Sequence, residues 1–70
     1  MYKLYYEKDT ILSTGAILRG DIYIQDTTTG AIVNVYNTKT CKTFTCTQSR
    51  KIATRYLEKL NKGEYIATRF

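Results

Sequence analysis

The chain has no histidine and no proline, two cysteines (Cys41 and Cys46) and only six acidic residues among its 70. Without histidine, serine or cysteine hydrolase chemistry lacks its usual base. The acids Glu7, Asp9, Asp21 and Asp26 stand isolated at turns, with no DxD-like ligand set and no Gly-rich phosphate loop. An enzyme is not expected on these grounds, and no cofactor is implied. Two thiolates alone do not fill a tetrahedral shell, so no metal site is expected either. Cys41 and Cys46 are an odd number of residues apart, which places them on opposite faces if one extended strand carries both, and reduced thiols are the expectation. No apolar run approaches the roughly 20 residues of a membrane span, and the start, Met1 to Glu7, lacks the charged-then-apolar layout of a signal peptide. The expectation is a soluble, cytoplasmic protein with no membrane partner.

Hydrophobic residues make up 43% and charged residues 24% of the chain, a globular balance that argues against disorder. At this length there is room for one domain, spanning residues 1–70, with one thin core.

One stretch has a clear helical period: Thr47 to Asn61, TQSRKIATRYLEKLN. Ile52, Ala53, Tyr56, Leu57 and Leu60 form a single apolar stripe, and Lys51, Arg55, Lys59 and Lys62 recur on the opposite side with Glu58 among them. Thr47 or Ser49 suits the N-cap, and Lys62-Gly63 suits the C-terminal end. Glu58 and Lys62 are spaced as an i, i+4 pair. A helix this short needs a sheet to dock on.

The rest of the chain reads as strands. Tyr2 to Glu7 alternates, with Tyr2, Leu4 and Tyr6 on one side. Thr10 to Ser13 and Ala16 to Arg19 are short apolar pieces around Thr14-Gly15, either halves of a tight hairpin or an irregular connection. Asp21 to Asp26 and Ala31 to Asn37 flank Thr27-Thr28-Thr29-Gly30 and read as a hairpin, with Ile22, Ile24, Val33 and Val35 inward. A third strand is expected from Cys41 to Thr47 with Phe44 and Cys46 inward, and the tail Glu64 to Phe70 suits an added edge strand. Nothing in the sequence interrupts such a sheet, since proline is absent. The fold class is therefore α+β, a small antiparallel sheet of four to five strands with one helix, in the C-terminal half, packed on one face.

The net charge of +5 is unevenly placed. Lys39, Lys42, Arg50, Lys51, Arg55, Lys59 and Lys62 face the single acid Glu58 between residues 39 and 62, a local charge of +6. Such a concentration favours a polyanion or an acidic protein surface as partner. The outward sheet face carries Tyr23, Gln25, Asn34 and Tyr36, together with Thr43 and Thr45. Amides can pair with base edges, tyrosines can stack on unpaired bases, and cations neutralise phosphates. The candidate nucleic-acid-binding set is thus Lys39, Lys42, Arg50, Lys51, Arg55 and Lys59 for phosphates, with Tyr23, Gln25, Asn34 and Tyr36 for bases or sugars. The same residues would also suit a solvated sheet and helix surface.

Three strands followed by a helix after Phe44, over about residues 21 to 60, resemble the small three-stranded DNA-binding domains of tyrosine recombinases and of one class of plant transcription factors. In those families the sheet enters the major groove, so the resemblance implies a DNA partner. It rests on topology and on a Phe ahead of a basic helix, and it assigns no site residues. A metal-independent ribonuclease working with Lys, Arg, Tyr and Glu, as in compact bacterial toxins of the RelE kind, is the catalytic alternative. Seven tyrosines in so small a chain exceed what a thin core buries. They point to a second class of function, a protein-binding module, a homodimer pairing through a terminal edge strand, or a small phage-type inhibitor of a larger protein. The first expectation is a small basic protein that binds nucleic acid, DNA ahead of RNA, without catalysis.

Overall fold

The computed structural model describes residues 1–69. Seven strands and one helix follow in the order β1 (Tyr2–Tyr6), β2 (Thr10–Ile11), β3 (Ile17–Leu18), β4 (Ile22–Asp26), β5 (Ile32–Asn37), β6 (Lys42–Phe44), α1 (Arg50–Asn61) and β7 (Ile66–Arg69). Strands β1, β4, β5, β6 and β7 form one five-stranded antiparallel sheet, and β2 and β3 form a separate two-stranded hairpin. This is the α+β architecture expected, and Thr10 to Arg19 resolves as the hairpin. Phe70, the end of the expected tail strand, lies outside the described residues.

The sheet is forked. Val33 pairs with Ile24 of β4 and with Arg69 of β7, and Val35 pairs with Phe44 of β6 and with Ala67 of β7. A strand has only two edges. β7 therefore runs along one edge of β5, while β4 and β6 divide the other between them. β4 pairs with β5 only from Ile24 onward, and before that its Ile22 instead exchanges backbone hydrogen bonds with Thr47, at 2.7 and 3.1 Å. The third strand is accordingly shorter than expected: only Lys42–Phe44 pairs with β5, entered through Cys41 at φ +58° and left before Thr47 rejoins β4.

The fork also shifts the facing of the chain. Phe44 is buried and Thr47 pairs with inward Ile22, so the alternation slips by one between them and Cys46 turns outward, onto Tyr23. The expectation of an inward Cys46 is corrected by this slip.

α1 lies over β1 and β4. Its first turn is capped by Ser49, whose Oγ accepts from the Ile52 amide at 3.3 Å, and its far end turns through Lys62 into Gly63 at φ +79°. The core comprises Ile22, Ile24, Val35, Phe44, Ala53 and Leu60, flanked by Tyr2, Leu4, Val33, Tyr56, Leu57, Tyr65 and Ala67. Ile52, placed in the apolar stripe by its period, is 43% exposed. An aromatic ladder ties helix to sheet: the Phe44 and Tyr56 rings stack at 4.5 Å, Tyr65 lies 5.6 Å beyond Tyr56, and the Tyr65 hydroxyl accepts from Asn37 Nδ2 at 3.0 Å.

Candidate functional site

With its apolar side on the sheet, α1 turns Arg50, Lys51, Arg55 and Glu58 outward, all exposed. Together with Thr54 they line a shallow depression of about 460 Å³ along the helix. Among the described residues one ion pair forms, Lys59 Nζ to Glu64 Oε1 at 3.3 Å, rather than the Glu58–Lys62 pair that the spacing suggests. Lys59 is thereby partly neutralised, while Arg50, Lys51 and Arg55 keep their charge open to solvent.

Lys39 and Lys42 stand at the rim. Lys39 sits in the turn between β5 and β6, where its backbone N–H donates to Asn37 Oδ1 at 3.0 Å. Lys42 shares the facing of Phe44 on β6, so it projects on the helix side of the sheet.

The polar and aromatic set is on the other side. Tyr23, Gln25, Asn34 and Tyr36 alternate with the buried Ile24 and Val35 and share the uncovered face with Lys3, Tyr5, Ile32, Thr43, Ile66 and Thr68, their cross-strand partners or neighbours. The structure thus gathers Arg50, Lys51, Arg55 and Lys59 on one layer and Tyr23, Gln25, Asn34 and Tyr36 on the opposite layer. The ten residues form two surfaces, not one.

Several groups of the sheet face also have local partners. Gln25 Nε2 donates to the Gly30 carbonyl at 2.9 Å and closes the β4–β5 turn. Asn34 Nδ2 donates to the Arg69 carbonyl at 3.3 Å, and its Oδ1 is buried without a partner among the described residues. Tyr23 stands 6.4 Å from Tyr5, ring to ring. Partial burial raises the Tyr23 phenol above its ordinary 10.0, and the nearby Glu7, Cys46 and Asp21 push the same way. Tyr36 is raised chiefly by its hydrogen bond to the Cys41 thiol, then by the charge on that sulfur and by burial. Carboxylates beside Tyr23 make that end of the face less hospitable to phosphate than the helix.

Two features escaped sequence reasoning. The β2–β3 hairpin leaves Ile11, Leu12, Ile17 and Leu18 between 43% and 76% exposed, so its apolar residues do not join the core. Its neck is a close backbone crossing: the Glu7 amide donates to the Asp21 carbonyl at 3.0 Å, the Gly20 amide to Asp9 Oδ1 at 2.8 Å, and the Asp21 amide to Glu7 Oε1 at 3.3 Å. The sequence signal was present in Gly20-Asp21 following a run too short to span the sheet.

Among the described residues no group of His, Cys, Asp or Glu is arranged to hold a metal, and no helix is long and apolar enough to cross a membrane. No family model, curated protein or solved structure matches the chain.

Proposed function

We propose that this is a small intracellular protein that binds nucleic acid, DNA ahead of RNA, through phosphate contacts made by the exposed side of α1, acting by binding rather than by catalysis. The observation that carries the reading is the row Arg50, Lys51 and Arg55, exposed on one helix side with no carboxylate paired to any of them among the described residues. Twelve residues of helix extend about 18 Å, long enough to follow several phosphates along a duplex strand. Lys39 and Lys42 extend the contact at the rim, and Lys59 joins it when its pair with Glu64 opens. Tyr23, Gln25, Asn34 and Tyr36 supply a separate surface, suited to stacking on an unpaired base rather than to reading the same duplex.

The test is fluorescence anisotropy against labelled duplex DNA, single-stranded DNA and RNA across a salt series. Replacing Arg50 and Lys51 with Ala should weaken duplex binding at every sequence and flatten the slope of log K against log salt by up to ~1.8, about 0.9 for each lost phosphate contact. Unchanged affinity and slope would remove the helix from the interface.

A second reading is favoured by the exposed apolar side chains of the β2–β3 hairpin: a protein-binding module or inhibitor in which Ile11, Leu12, Ile17 and Leu18 enter a partner and the cations meet an acidic surface. Absence of nucleic-acid binding at low salt in the same experiment would leave this as the better account.

A further inference from the structure

The backbone of β1 has one paired edge and one open edge, and the hydrogen bonds at its two ends determine which residues serve each. The Glu7 amide donates to the Asp21 carbonyl, and the Thr27 amide donates to the Met1 carbonyl. Backbone groups alternate in direction along a strand, so Met1, Lys3, Tyr5 and Glu7 address β4, while Tyr2, Leu4 and Tyr6 point their N–H and C=O groups away from the sheet. The helix end confirms this alternation. Asn61 Oδ1 accepts from the Tyr2 amide at 3.2 Å, and Asn61 Nδ2 donates to the Tyr2 carbonyl at 3.4 Å, so one side-chain amide stands where a neighbouring strand's peptide group would stand. Asn61 plugs the edge at Tyr2, and among the described residues the outward backbone groups of Leu4 and Tyr6 have no partner.

We infer that a second copy of this chain pairs along that edge, β1 against β1 and antiparallel, about a two-fold axis through Tyr5. The register follows from the open groups. Only a pairing that sets Leu4 opposite the partner's Tyr6, and Tyr6 opposite the partner's Leu4, uses both open residues and leaves the Asn61 plug in place. Each of these two pairs exchanges an N–H and a C=O in both directions. In the same register Tyr5 meets the partner's Tyr5 beside Tyr23, and Lys3 comes opposite the partner's Glu7, whose Oε1 also accepts from its own chain's Asp21 amide, twice by symmetry. Lys3-Leu4-Tyr5-Tyr6-Glu7 is thus complementary to its own reverse in charge and in backbone pattern. Shifting the register by two residues places Lys3 opposite Tyr5, or Tyr5 opposite Glu7, and loses both charge pairs.

Tyr5 and Tyr6, 44% and 53% exposed in the single chain, become central to this interface. Leu4 and Tyr6 both face the helix layer, so the two copies of α1 end on the same side of a continuous sheet. The pairing stands on β1 alone and does not rest on nucleic-acid binding.

The test is sedimentation equilibrium over a concentration series, with circular dichroism to establish that each variant is folded. The wild-type chain should pass from one-chain to two-chain mass as concentration rises. Lys3→Glu places two carboxylates against each other at both symmetric positions, and Glu7→Lys places two ammonium groups against each other, so each variant alone should weaken the dimer by about tenfold or more. Mixing the two should restore two-chain mass. In the mixed pair the carboxylate introduced into one chain meets the ammonium introduced into the other, and the unchanged Glu7 of the first chain meets the unchanged Lys3 of the second. Tyr6→Pro, which removes an outward amide that β4 does not use, should weaken the dimer in the same way. A wild-type chain that stays at one-chain mass throughout overturns the inference, and so does a mixture that associates no better than its separate components.

Discussion

Gly20 is the position at which one added methyl group should do the most damage for its size. A Cβ built there collides with the Glu7 carbonyl oxygen and lies 2.6 Å from the Glu7 carbonyl carbon and 2.9 Å from the Lys8 oxygen. All three are backbone atoms, so no side chain can rotate out of the way. Gly20→Ala must therefore pry the neck of the β2–β3 hairpin apart, straining the Glu7–Asp21, Gly20–Asp9 and Asp21–Glu7 hydrogen bonds together. Overpacking of this kind costs about 2 kcal/mol, against a total of roughly 4–10 kcal/mol for a domain of this size. In a thermal melt the midpoint should fall by ~8–16 °C. Gly15→Ala is the control: Gly15 sits at φ +86° with nothing within 4 Å of a built Cβ, so it carries only the conformational penalty of about 1 kcal/mol. Urea unfolding followed by far-UV circular dichroism should rank Gly20→Ala below Gly15→Ala, and hydrogen exchange should speed at the Glu7 amide in the first variant only. A Gly20→Ala chain as stable as the wild type, or no less stable than Gly15→Ala, would refute the crossing as described.

Tyr65→Phe keeps the ring that packs beside Tyr56 but removes the acceptor for Asn37 Nδ2, so it should cost about 1 kcal/mol in urea unfolding with the m-value unchanged. Tyr23 and Tyr36 have phenols raised above 10.0 in the folded chain, so the stability they contribute is whole below that value and fades as the pH climbs through the raised value. Absorbance titration at alkaline pH should show tyrosines ionising late in the wild type, and Tyr23→Phe with Tyr36→Phe should remove the late fraction.

How much of this fold is written locally depends on the element. The helix was legible because its cap, its stripe and its terminal glycine are all local signals, and Ser49, Ala53, Leu60 and Gly63 take the places those signals assign. The β4–β5 hairpin was legible for the same reason, its turn residues and alternation agreeing with each other. Ile52 shows the limit of the period: it assigns a side of the helix but not whether anything lies beneath that turn. β6 shows a different limit. Its length and the outward turn of Cys46 come from a competition between β4 and β6 for one edge of β5, and neither strand's own sequence contains the other's claim on Val33 or Val35. The plug at Tyr2 is likewise a long-range fact, made by a side chain 59 positions away.

The separation of the candidate site into two surfaces has a more general cause. A helix that docks on a sheet must turn its apolar stripe toward the sheet's apolar face, which sends the polar side of the helix and the polar face of the sheet in opposite directions. Once Ile24, Val35, Ala53 and Leu60 are assigned to one core, Arg55 and Tyr36 cannot share a surface, whatever the strand order. Charge and aromatic content can be summed along a sequence, but surfaces cannot, because each layer contributes only its outer side. In a two-layer domain only the rim belongs to both surfaces, and of the candidate residues Lys39 and Lys42 stand on it, at the β5–β6 corner. A ligand reaching both candidate surfaces would have to bend around an edge of the sheet rather than lie flat on either side.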